Sequence, residues 1–81
     1  MPAEPYTVKA EWDAEAEVWV ATSDDVPGLV TGADTLEELA TKLRVMVPEM
    51  LELNGVLPAD EAARVSFRIV AERLEHPRAV A

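Results

Sequence analysis

Cysteine is absent from the 81 residues. That excludes a disulfide framework and any thiolate metal site or nucleophile. Histidine occurs once, as His76 beside Pro77, and neither Ser23 nor Ser66 has a histidine expected near it, so no Ser-His constellation can be argued. The three glycines, Gly28, Gly32 and Gly55, lie too far apart for a phosphate-cradling loop. No apolar run approaches the roughly 20 residues that span a bilayer. The start, Met1-Pro2-Ala3-Glu4-Pro5, has neither the basic end nor the apolar stretch of a secretion signal. A cytoplasmic protein without membrane association is the expectation.

Bases are scarce as well. Seven Lys and Arg stand against sixteen Asp and Glu, a net charge of −9. Residues 1–34 contain eight acids and one base, and residues 35–81 eight acids and six bases. Such a surface repels phosphate backbones, which argues against direct nucleic-acid binding. It attracts basic proteins and accelerates their encounter. The apolar fraction, 49 %, is that of a globular chain. A single domain of this length buries only roughly 60 % of its unfolded surface, so association with further copies is the natural reinforcement.

The pattern of what is present predicts β-β-β-α-β. Tyr6 to Trp12 alternates Tyr6, Val8, Ala10 and Trp12 against Thr7, Lys9 and Glu11, the period of a half-buried strand. Glu17 to Ser23 is rich in β-branched and aromatic residues and reads as the second strand, joined through a hairpin at residues 13–16. Its register has two solutions. With Trp12 opposite Glu17, Trp19 and Ala21 share the helix-side face and Val18 and Val20 the other; a slip of one residue exchanges the sets. Either leaves apolar side chains on the second face, a pointer to self-association.

The Asp24-Asp25-Val26-Pro27-Gly28 segment then breaks the strand. Proline presets φ at the first central position of a turn and glycine supplies positive φ at the second. A short third strand, Leu29 to Gly32, precedes a helix whose capping box has Thr35 as N-cap and Glu38 at the third helical position. Leu36, Leu39, Leu43, Met46, Met50 and Leu53 make its apolar stripe. Pro48 removes one internal hydrogen bond and predicts a kink, and Asn54-Gly55 a stop. A connection over residues 56–63, with a turn of helix after Pro58, leads to a fourth strand over residues 64–74. The fold class is therefore α+β: a four-stranded mixed sheet, order 3-2-1-4, with one helix on one face.

Two acidic groups stand out: Glu11, Asp13, Glu15 and Glu17 around the first hairpin, and Asp24, Asp25 and Asp34 around the second connection. Their spacing matches no calcium or magnesium loop, so no metal or other cofactor is expected. Solvated charge is the plainer reading.

The residues from Val18 to Leu39 resemble the signature of HicB-type antitoxins. Trp19-Val20-Ala21 stands where those proteins carry an aromatic residue followed by Val-Ala. Asp25-Val26-Pro27-Gly28-Leu29, Thr31 and Asp34-Thr35-Leu36-Glu37-Glu38 follow their Pro-Asp-Leu-Pro-Gly-Cys and Gly-Asp-Thr-Leu-Glu-Glu-Ala motifs at the same spacing. Asp24 replaces the first proline, Leu29 the cysteine, and glycine stands at 32 rather than 33. The string from Trp12 to Val30 and the Leu51–Gly55 ending are similar to short, stand-alone HicB-like bacterial domains of unassigned function. The resemblance implies a truncated RNase H-like fold over residues 1–81 without the C-terminal DNA-binding module that many family members add. It implies no enzymatic activity, and a role masking a small basic HicA-like toxin. Glu17, Trp19, Asp24 and Asp25 are the candidate partner contacts; Pro27, Gly28, Thr35 and Glu38 are the structural turn and cap. The alternatives are a structural homodimer or higher homo-oligomer, and a metal-dependent hydrolase built on the acidic cluster.

Overall fold

A computed structural model describes residues 5–77. It contains β1 (Tyr6–Asp13), β2 (Val18–Thr22), β3 (Val30–Ala33), α1 (Leu36–Leu53), α2 (Ala59–Ala62) and β4 (Phe67–Glu72). The strands form one sheet in the order β3-β2-β1-β4, antiparallel except for the parallel β1–β4 pair. This is the expected α+β architecture and strand order. No helix among the described residues is long and apolar enough to cross a membrane.

The hairpin resolves the register in favour of the first face assignment, with the pairing displaced by two residues: Trp12 lies opposite Trp19, and Ala10 opposite Ala21. The cause is the loop. The Asp13 carboxylate accepts the Glu15 and Ala16 N–H groups, each at 3.1 Å, and Glu17 takes a positive φ of 56°. Glu17 is thereby a turn residue rather than the first of β2. Val8, Ala10 and Ala21 are fully buried under α1, while Lys9, Glu11 and Thr22 face away.

Thr35 caps α1 as expected, its hydroxyl accepting the Glu38 N–H at 3.1 Å. The helix continues through Pro48. Its buried row is Leu39, Leu43, Val47 and Leu51, an i, i+4 ridge. The expected stripe is corrected at its end, because Leu53 is 80 % exposed and Met46 and Met50 only flank the core. Asn54 ends the helix, and Gly55 follows at φ 67°. The Gly55 N–H bonds the Glu52 carbonyl and the Val56 N–H the Leu51 carbonyl, a Schellman closure.

The third strand begins and ends one residue later than expected, because the Leu29 N–H still closes the preceding turn onto the Val26 carbonyl (3.2 Å). The fourth is shorter than residues 64–74: the Arg64 and Val65 N–H groups close the turn after α2, and pairing with β1 ends at Glu72. The helix packs chiefly on β2, β3 and α2. Phe67 and Ile69 of β4 are therefore only half-buried, and among the described residues the opposite face of the sheet has no covering layer of helix.

Candidate functional site

The break after β2 has a specific construction. As the chain leaves the sheet, side chains take over the ladder to β1. The Ser23 hydroxyl donates to the Thr7 carbonyl, and the Asp25 carboxylate accepts the Thr7 N–H at 2.8 Å. The same Ser23 oxygen accepts the Asp25 and Val26 N–H groups at 3.1 and 3.2 Å, an arrangement that serine makes readily in turns. Val26 can then plunge into the core, where it is fully buried. Pro27 and Gly28 complete a turn with Gly28 at φ 77°, and Asn54 Nδ2 donates to the Pro27 carbonyl at 3.0 Å and to the Met50 carbonyl at 2.9 Å. The loop is tied to β1 at one end and to the C-terminus of α1 at the other.

This construction separates the candidate contacts. Both aspartates are exposed and line the same depression on the uncovered face, but Asp25 is also engaged in the fold through its bond to Thr7 of β1. Glu17 lies beyond the opposite end of β2, seven positions from Asp24, or roughly 20 Å along an extended chain. Trp19 is on the helix side, packed against the core. It meets Trp12 edge-on at 5.5 Å between ring centroids, with the Arg73 guanidinium 4.2 Å above the Trp12 ring. The four residues therefore do not form one patch.

The uncovered face assembles a different set. Cross-strand pairing aligns Val30, Thr22, Lys9 and Val70 in one row and Gly32, Val20, Glu11 and Glu72 in the next. A shallow depression of about 520 Å³ lies over Thr7, Lys9, Thr22, Asp24 and Val70, and a second of about 430 Å³ over Glu11, Asp13, Glu15 and Val20. Lys9 is the base in the middle, 3.2 Å from Glu11. Its pKa is raised above the ordinary lysine value first by the hydrogen bond and charge of Glu11, then by Glu72 and Asp24. Glu11 and Glu72 face each other directly across β1 and β4, an unfavourable pairing that Lys9 moderates. Glu72 escapes sequence reading as a site residue, because only the parallel register brings it beside Glu11. Among the described residues no three or more His, Asp or Glu come together as a metal-binding group. His76 is exposed.

The comparisons with known proteins agree with this architecture. Residues 5–81 match the model of a domain of unknown function, DUF1902. Hypothetical protein TTHA1013 from the extremely thermophilic bacterium Thermus thermophilus, known as a crystal structure, is 46 % identical. Its TM-score is 0.63, and the match covers 96 % of this chain and 100 % of that one. No curated protein matches.

Proposed function

The chain belongs to the DUF1902 family, a domain of unknown function, and we propose that within it this chain is a binding module of the HicB-like antitoxin type, which masks a small basic protein rather than performing a reaction. The observation that carries this reading is the uncovered sheet face, where Glu11, Glu72 and Asp24 surround Lys9 above shallow depressions and Arg68, on the outer strand, is the second base. A broad, acidic, weakly concave surface suits a convex basic partner better than a small substrate, which binds in an enclosed pocket. The motif likeness from Val18 to Leu39, including the cap at Thr35, supports the HicB assignment and its truncated RNase H-like fold. Within this reading Asp24 contacts the partner. Asp25, Pro27, Gly28, Thr35 and Glu38 hold the frame that presents it.

The test is capture of cytoplasmic proteins by the intact tagged chain at low and at moderate salt, compared with the Asp24→Lys and Glu11→Lys variants. The reading expects a small basic protein that elutes as salt rises, since screening weakens contacts between exposed charges, and that either variant loses. Retention unaffected by salt and by both substitutions, or no basic protein retained by the folded chain, rejects it. A structural homo-oligomer is the second reading, favoured by the outer edge of β4, which has no neighbouring strand among the described residues.

A further inference from the structure

The two edges of the sheet are treated differently. β3 is four residues long, and the Lys42 ammonium already donates to its Gly32 carbonyl. Short length and a lysine on the edge are ordinary protections against pairing with another chain. β4 is six residues long, regular, and without proline or glycine. The Ser66 carbonyl accepts the Tyr6 N–H, which commits the backbone groups of the even-numbered residues to β1. Those of Phe67, Ile69 and Ala71 consequently point outward.

We propose that the β4 edge is the site of a second copy of this chain, paired antiparallel about a two-fold axis through Val70, so that Arg68 meets Glu72 of the partner subunit. The proposal deepens the self-association of the second reading and is independent of any basic partner. The register follows from charge. A two-fold axis perpendicular to the sheet keeps Arg68, Val70 and Glu72 of both copies on the uncovered face. Centring the axis on Val70 sets both Arg68 side chains against the partner's Glu72, flanking a Val70–Val70 contact. Shifting the strands by two residues in either direction brings Arg68 or Glu72 opposite Val70 and loses both ion pairs.

The backbone agrees with this register. Ile69 faces Ala71 of the partner subunit as a hydrogen-bonded pair, using the outward groups of both. Arg68 and Glu72 fall in the non-hydrogen-bonded pairs, where opposing side chains come closest. Neither Arg68 nor Glu72 makes a salt bridge among the described residues, and Glu72 stands opposite Glu11 within its own chain. An arginine from the partner compensates that repulsion. Val70, 49 % exposed, becomes covered, and the two sheets merge into one of eight strands. Because α1 leaves β4 half-covered, the space over Phe67, Ile69 and Arg44, about 410 Å³ in each copy, becomes one trough between the two helices and extends the interface beyond the strands.

Sedimentation equilibrium of the intact chain across a concentration series tests this, with far-UV circular dichroism of every variant as the check on folding. The wild type is expected to be a dimer. Arg68→Glu and Glu72→Arg, each replacing two attractions with two repulsions, are expected to raise the dimer dissociation constant roughly 30-fold or more. The double variant, which restores opposite charges in reversed positions, is expected to dimerise again. A monomeric wild type overturns the proposal. So does a dimer indifferent to the single charge reversals, or one that the double reversal fails to restore. A basic partner captured by a monomeric chain leaves the proposed function standing while removing this interface.

Discussion

Gly28 and Gly55 offer a matched pair of perturbations. Both occupy the left-handed region, at φ 77° and 67°, so alanine at either meets the same backbone penalty. That penalty is about 1–2 kcal/mol, partly offset by about 0.4–1 kcal/mol because alanine also restricts the unfolded chain. The surroundings differ. A Cβ at Gly55 has nothing within 4 Å, whereas at Gly28 it lies 3.0 Å from the Met50 methyl and 4.0 Å from Asn54 Nδ2. Met50 can yield, but only by leaving its rotamer, at a cost of about 0.5–1.5 kcal/mol. Gly55→Ala should therefore destabilise by about 1 kcal/mol and Gly28→Ala by about 2 kcal/mol. In a domain of this size those figures lower Tm by about 4–8 °C and about 8–16 °C. Urea titrations followed by circular dichroism give the two values, at one protein concentration because association moves the midpoint. Removing the Met50 side chain in a double-mutant cycle should recover the difference. Equal losses at the two glycines would refute the seating of the loop on Met50, and a harmless Gly28→Ala would refute the turn itself.

Two further outcomes follow from single contacts. Thr35→Ala removes the acceptor for the Glu38 N–H and should cost about 1 kcal/mol in the same urea titration, with Thr35→Ser recovering most of it. The raised pKa of Lys9 means that its favourable contribution is complete below the unfolded value of 10.5 and is lost as pH rises through the higher folded value. An NMR titration should place its midpoint above 10.5, and Glu11→Gln should lower that midpoint, Glu11 being the first cause of the shift.

The strands, the turn and the helix cap could be read from the chain because local chemistry decides them: alternation in residues 6–12, the Pro27-Gly28 turn, Thr35 with Glu38, and Gly55 after Asn54. The strand order followed from the handedness of the crossover that returns the chain beside β1. The hairpin register could not. It depends on Asp13 binding two N–H groups and on Glu17 accepting positive φ, and a non-glycine residue seldom advertises that conformation. The stripe of α1 differs from the expected one at its end, where Val47 and Leu51 are buried and Leu53 is exposed, because periodicity gives a face but not where neighbouring elements end. The candidate site is the part least legible in the sequence. Asp24 and Asp25 are adjacent and chemically alike, yet only Asp25 replaces a missing ladder bond to Thr7. Glu11 and Glu72 become neighbours through a pairing that spans nearly the whole chain.

That long-range pairing also bears on how the molecule comes together in time. Asp13 and Val18, five positions apart, meet as soon as the hairpin closes, but Tyr6 must wait for Phe67, 61 positions later. β1 thus leaves the ribosome before the other strands and is the last interior strand to have both flanks occupied. Non-local strand pairing of this kind sets the pace of folding. Through the interval before β4 docks, the flank of β1 that will become the middle of the sheet is the one most open to capture by another nascent chain.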